Sequence, residues 1–178
     1  MPQPQGMERG HNNVDKHKAI IVSGFAAIGK TSFSRNAEVR RITELDVVDL
    51  DSSLYSKKPG YPDYLNAIRK AAEKPCIILI STHDGLPTQL AKEGHYVALV
   101  YPGGGMDAKM EWLSRLEKRE KLGKRSTLYM ATDKNWNLWF ERTTKEVVTS
   151  KWTLSNDEYL SNVFGSIYDD FRKQRLRK

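Results

Sequence analysis

The chain predicts an α/β fold: a three-layer, doubly wound parallel sheet of about five strands with helices on both faces. Three observations carry this expectation. Short apolar runs alternate with longer helical patterns along the chain, so strand candidates are followed by helix candidates. The first of these runs, Ala19-Ile20-Ile21-Val22-Ser23, is continuously apolar rather than alternating, as a central strand buried on both faces requires. Polar residues then gather where the runs end, at the sheet edge where open α/β folds bind ligands.

After the first strand, Gly24 to Thr31 read Gly-Phe-Ala-Ala-Ile-Gly-Lys-Thr and fit G-x-x-x-x-G-K-[ST] at every fixed position. The strand before and the helix after, Lys30 to about Val39, supply the context the motif needs. Its physics is that of a phosphate cradle. Backbone amides of Phe25 to Lys30 point inward as an anion nest, and the following helix start adds partial positive charge. The nucleotide-binding stretch is thus Gly24, Phe25, Ala26, Ala27, Ile28, Gly29, Lys30, Thr31 and Ser32, with Lys30 on the β/γ-phosphates and the Thr31 hydroxyl on Mg²⁺. A second strand over 44–50 ends in Asp49-Leu50-Asp51 and delivers two carboxylates to the same crevice.

Pro-Gly and Tyr-Pro punctuation marks 52–64 as a loop that leads to a helix over about 62–73. Cys76 to Ser81 is the third strand, closing in the polar turn Thr82-His83-Asp84-Gly85. A short helix runs from Leu86 to Glu93 with Gly94 as its stop. Tyr96 to Tyr101 is the fourth strand, broken by Pro102-Gly103-Gly104-Gly105. A charged helix follows over 106–121, on which Arg115 and Arg119 lie four apart and share a face able to close on one anion. Lys118, Lys121, Lys124 and Arg125 surround them. A helix over about 133–145 carries Trp136, Trp139 and Phe140 as a core-packing stripe. The last strand candidate is 147–154, and Ser155-Asn-Asp-Glu158 reads as a capping box for a closing helix with Tyr159, Leu160, Val163, Ile167 and Phe171 inward.

At 178 residues, one domain is the expected organisation. Residues 1–18 read as a disordered lead without the apolar core of a secretory signal. Residues 19–172 form the domain, with a mobile segment around 103–127, and 173–178 form a basic tail whose simplest role is a solvated helix end. A net charge of +7 favours anionic partners, nucleotides first and nucleic acid as a further candidate. The single cysteine excludes an internal disulfide and a cysteine-based zinc site. No run approaches the roughly 18 apolar residues of a membrane span. A reducing, cytoplasmic location is expected.

With the phosphate loop at 24–31 and Asp49-Leu50-Asp51 about twenty residues on, the chain resembles the small phosphotransferases of the P-loop class: nucleoside and nucleotide kinases, shikimate-type kinases and polynucleotide 5′-kinases. The run of motifs over 19–172 is most similar to small phage-type nucleotide-kinase-like proteins. The resemblance implies a kinase using ATP and Mg²⁺ on a small acceptor, a nucleoside or nucleotide first. It implies that Asp49 holds magnesium through water, that Asp51 orients or deprotonates the acceptor hydroxyl, and that 103–127 is a lid. Arg115, Arg119 and Arg125 are then the lid arginines, and His83 and Asp84 stand where substrate contacts fall. Asp51 as a helix cap remains an alternative. A polynucleotide 5′-hydroxyl kinase and a non-catalytic nucleotide-binding switch also remain open. Against a motor-type ATPase, the third strand ends in Ser81 rather than an acid.

Overall fold

The computed structural model describes residues 18–177. The expected lead over 1–18 therefore lies, apart from Lys18, outside the described residues, as does Lys178 at the end of the tail. Five strands, β1 (Ile20–Gly24), β2 (Asp46–Asp49), β3 (Cys76–Ser81), β4 (Tyr96–Pro102) and β5 (Ser150–Leu154), form one sheet in the order β2-β3-β1-β4-β5. Every neighbouring pair is parallel. The α-helices among the described residues are α1 (Lys30–Ser34), α2 (Ala37–Thr43), α3 (Pro62–Ala71), α4 (Leu86–Lys92), α5 (Met106–Arg119), α6 (Thr127–Lys145) and α7 (Leu160–Leu176).

Strand periodicity divides the core. Ile20, Val22, Ile77, Leu79, Ala98 and Val100 face one side, where they meet Phe33, Trp112, Trp136, Phe164 and Ile167 from α1, α5, α6 and α7. Ile21, Ile78, Ile80 and Val97 face the other, against Tyr64, Leu65, Ile68, Leu86 and Leu90 from α3 and α4. Successive side chains of a strand point to opposite faces, so an all-apolar strand demands cover on both. The three-layer expectation is met for that reason.

The element boundaries depart from the sequence reading in four places. The first helix is broken: α1 stops at Ser34 and α2 restarts at Ala37, because the Asn36 side chain accepts the Glu38 amide at 3.0 Å and caps a new helix. α6 begins at Thr127, well before 133, because the Ser126 hydroxyl caps it by accepting the Tyr129 amide at 3.1 Å. Ser155 to Glu158 is only a turn, in which the Ser155 amide donates to the Glu158 carboxylate at 2.8 Å. α7 starts one turn later, where the Tyr159 amide donates to Asn162 Oδ1 at 2.8 Å. The helix then runs through most of the basic tail to Leu176.

The segment 103–127 is largely α5, and its inner face is core: Ala108, Trp112, Arg115 and Leu116 are buried. Only its far end, with the 3₁₀ turn Gly123–Arg125, projects away from that packing. The aromatic stripe of α6 packs as expected, with Trp136 edge-on to Phe25 at 5.7 Å and Phe140 edge-on to Tyr101 at 6.1 Å.

Glu146, just past α6, is 4% exposed and caps α4 from a distance. Its carboxylate accepts the amides of Gly85 at 2.6 Å and Thr88 at 3.0 Å, and the Thr88 hydroxyl as well. Removing a charged acceptor strands buried donors. Glu146→Ala is expected to lower unfolding free energy by about 2–3 kcal/mol, read as a shift of the urea midpoint at unchanged slope.

Candidate functional site

The crevice opens where β1, β2 and β3 end together. Gly24 lies in register with Ser81 of β3 and Val100 of β4, and Asp49 with Leu79, so the loop after β1 and the acids after β2 share one edge. A Cβ on Gly24 would run into the Ile28 side chain, so the turn closes tightly on its own first residue. Ala27 and Gly29 adopt left-handed backbone, φ 61° and 91°, a conformation costly for alanine and free for glycine.

The loop is held from outside. The Trp112 indole donates to the Ala26 carbonyl at 2.8 Å, and the Leu160 amide donates to the Ile28 carbonyl at 2.8 Å. The Phe25 amide donates to Val100 O at 3.0 Å, and its ring is buried against Trp136. Phe25 is therefore not part of the anion nest; its amide is spent on continuing the sheet by one rung.

Lys30 folds back over the loop, donating to Gly24 O at 2.8 Å and Phe25 O at 3.2 Å. Burial lowers its pKa from 10.5 to about 8, with Asp49 and Asp51 opposing the shift and Arg119 adding to it. The charges of Asp49, Asp51 and Arg119 thus reach Lys30. Asp49 is itself pushed above its ordinary range, by burial first, with Lys30 pulling it back.

Asp51 has a second duty. Its Oδ1 accepts the Ser53 amide at 2.8 Å and caps the 3₁₀ turn Ser52–Leu54, and among the described residues nothing donates to its other oxygen. Between the two acids, the Tyr64 hydroxyl donates to the Leu50 carbonyl at 2.9 Å, and the hydroxyl oxygen accepts the Ser81 amide at 3.0 Å. Tyr64 of α3 therefore straps the end of β2 to the end of β3. Its burial pushes the phenol up to about 12, so it stays a neutral donor across the working range.

Of the arginines, Arg115 is not where a lid arginine belongs. It is 7% exposed, with its guanidinium 4.1 Å from the ring centres of both Trp112 and Tyr159. It donates to the carbonyls of Glu158, at 2.8 Å, and Asn156, and pairs with Glu111 at 3.1 Å. An arginine so enclosed is a strut between α5 and the start of α7, and the expected face shared with Arg119 does not form. Tyr159, on its outer side, stands over Gly29, where an added Cβ would meet its ring at 3.2 Å. Arg119 is exposed, held to Glu120 at 2.7 Å, and is the arginine whose charge reaches Lys30. Arg125 is exposed in the 3₁₀ turn. Asp84 turns to Arg142 on α6 at 3.5 Å and so is drawn toward the flank rather than the loop.

His83 joins an aromatic group that spacing did not reveal. It stacks on Tyr61 at 4.1 Å and 23°, and meets Tyr64 edge-on at 5.9 Å. Burial first, then Lys30 and Lys57, lower its pKa and keep it neutral. Tyr61 itself is left-handed, φ 48°, which costs a non-glycine residue on the order of 1 kcal/mol.

The donor set suits a small hard cation. Thr31 and Ser32 sit exposed in the first turn of α1, and Asp49 offers a carboxylate at the same edge. Among the described residues no group of three or more His, Cys, Asp or Glu side chains gathers for a metal.

No family model and no curated protein sequence matches the chain. Solved structures do. A gluconokinase from Sinorhizobium meliloti 1021 superposes with a TM-score of 0.56 at 12% identity, over 89% of this chain and 94% of that one. The YorR protein of Bacillus subtilis, solved with phosphorylated GDP, gives 0.57 at 10% identity over 90% and 98%. Polyphosphate kinase 2 from Arthrobacter aurescens TC1 gives 0.53 at 13% identity over 91% and 70%. The chain has the fold of the P-loop kinases.

Two outcomes follow from these contacts. Arg115→Ala removes two carbonyl hydrogen bonds and a stack on both faces and should cost about 2–4 kcal/mol in urea unfolding, whereas Arg119→Ala should stay within about 0.5 kcal/mol. Lys30, whose pKa falls on folding, burdens the fold below about pH 8, where it is charged in both states. The burden lifts as pH rises from about 8 to 10.5, because the unfolded chain then holds the extra proton. Lys30→Met should therefore raise Tm at pH 7, with the gain shrinking toward pH 10.

Proposed function

We propose that the protein is an ATP- and Mg²⁺-dependent phosphotransferase that moves the γ-phosphate to a small acceptor, a nucleoside or nucleotide. One observation carries the reading: Lys30 is buried over the 24–31 loop, donating to the Gly24 and Phe25 carbonyls, and the charges of Asp49, Asp51 and Arg119 reach it there. A donor-side cation, two acids and a mobile-end cation in one crevice are what phosphoryl transfer asks of a protein, which contributes positioning and charge neutralisation rather than covalent chemistry.

In this reading the amides from Ala26 onward cradle the β- and γ-phosphates, and Lys30 exchanges its two loop carbonyls for phosphate oxygens. Thr31, and Asp49 through water, would hold magnesium, which would supply charge neutralisation for the transferring phosphate. Arg119 leaves Glu120 to meet charge that develops in the transition state. The free Asp51 oxygen accepts the acceptor hydroxyl's proton while the capped oxygen keeps the carboxylate aimed. If the acceptor ends in phosphate, no base is needed and Asp51 positions it instead. Among the described residues no helix is long and apolar enough to cross a membrane, which suits a substrate met in water.

A second reading, a polynucleotide 5′-hydroxyl kinase, is favoured by the excess of lysines and arginines behind the net charge of +7. Salt separates the two. A polynucleotide neutralised by several of these cations loses affinity steeply from 50 to 200 mM salt, and a nucleoside does not.

The test is a ³¹P-monitored acceptor screen with ATP–Mg²⁺. Asp51→Asn should keep ATP affinity within about twofold and lose transfer by about 10²-fold or more. Lys30→Ala should lose both. Tight ATP binding with no transfer across nucleosides, nucleotides and oligonucleotides would instead leave a nucleotide-binding switch.

A further inference from the structure

Burying Arg115 costs more than burying an apolar side chain of the same size, because a charge is taken out of water. What a guanidinium offers in return is a rigid plane with donors fixed along its edge. Both properties are used. The plane lies 4.1 Å from the ring centres of Trp112 and of Tyr159. The edge donates to the Glu158 carbonyl at 2.8 Å and to the Asn156 carbonyl, and Glu111 balances the charge at 3.1 Å.

Each group that Arg115 fixes in turn holds the 24–31 loop. The Trp112 indole donates to Ala26 O at 2.8 Å, and the Tyr159 ring covers Gly29. The Leu160 amide, one residue after Tyr159, donates to Ile28 O at 2.8 Å. Ala27 sits between the two held carbonyls in left-handed backbone, φ 61°. An alanine stays there only where its surroundings over-determine it, and here they do so from α5 on one side and from the start of α7 on the other. We propose, on the premise of the donor half of the phosphotransferase reading, that Arg115 is a positioning residue for the nucleotide's phosphates: by locking Trp112 to the turn before α7, it keeps the 26–29 backbone in the shape that receives them.

The two helices have other anchors. α7 enters the core through Leu160, Phe164 and Ile167, and α5 through Ala108 and Trp112. Those contacts hold the helix axes. The direction of the Tyr159 ring and of the Leu160 amide is set by the turn just before them, and the carbonyls of that turn, at 156 and 158, are the ones Arg115 takes. Direction matters because a hydrogen bond weakens steeply once donor and acceptor fall out of line. Loss of the plane and fork at 115 therefore reaches the phosphates through the loop, whereas an equal loss of stability elsewhere in the fold does not.

Titration calorimetry with ATP–Mg²⁺ and with inorganic triphosphate tests this on the wild type, Arg115→Lys, Tyr159→Leu and Glu146→Ala. The last is the control: it weakens the cap of α4, which packs on the opposite face of the sheet. Arg115→Lys keeps the charge but loses the plane and fork, and should weaken both ligands about tenfold or more. Tyr159→Leu, which leaves Arg115 in place and removes the ring over Gly29, should weaken both about three- to tenfold, and it carries the test if Arg115→Lys does not fold. Glu146→Ala should stay within about twofold of the wild type. In the free proteins, peptides covering 24–31 should exchange their amide hydrogens about tenfold faster in Arg115→Lys than in Glu146→Ala. Wild-type affinity in the Arg115 and Tyr159 variants, a loss that Glu146→Ala matches, or a loss seen with ATP and absent with triphosphate overturns the proposal. No binding of either ligand by the wild type sinks the phosphotransferase reading and this inference with it, whereas wild-type binding that the Arg115 and Tyr159 variants share sinks only the positioning role.

Discussion

The indole of Trp112 on the carbonyl of Ala26, at 2.8 Å, joins the turn between β1 and α1 to the buried face of α5. A phosphate loop is a poor structure in its own right: it turns through left-handed backbone at Ala27 and Gly29 and spends few hydrogen bonds on itself. Its shape has to come from neighbours. Trp112 takes one carbonyl, the Leu160 amide takes another, and Val100 receives the Phe25 amide. Arg115 then braces the two suppliers against each other, flat between Trp112 and Tyr159 with its hydrogen bonds on the turn before α7. Two of the loop's carbonyls, those of Ala26 and Ile28, are thus held from behind.

The acceptor side depends on a second brace of the same kind. Asp49 and Asp51 lie at the end of β2, the outermost strand on that side of the sheet, where only β3 pairs with it. The Tyr64 hydroxyl binds Leu50 O and the Ser81 amide together, so the acids inherit the position of a central strand. Both braces come from helices packed on opposite faces of the sheet, Trp112 in one core and Tyr64 in the other. The crevice is therefore supported by both layers at once.

Electrostatics in the crevice is unbalanced toward function. Lys30 is buried enough to sit at about 8, although two carboxylates act to raise it. A phosphate arriving at the loop would restore the full charge that burial suppresses, so anion binding and lysine protonation support each other. Arg119 adds to the same field from an exposed helix end, while Arg115 four residues earlier is enclosed. One helical turn separates a side chain that can move from one that cannot.

The residues themselves were enough to read the sheet, its three layers, the turn that joins β1 to α1 and the placing of Asp49 and Asp51 at the end of β2. Each rests on local chemistry: apolar β-branched runs, a glycine-lysine-threonine turn, carboxylates at a strand end. Local chemistry also misled where it could be satisfied in more than one way. Asn36 and Ser126 cap helices whose starts the periodic pattern does not mark, and the Ser155–Glu158 box closes a turn rather than opening α7. Only the tertiary structure decided which arginine is buried, that the Phe25 amide is spent on the sheet, and that Tyr61, Tyr64 and His83 meet. Those outcomes depend on which groups distant elements present to one another across the edge of the sheet, and spacing along a chain carries no record of that.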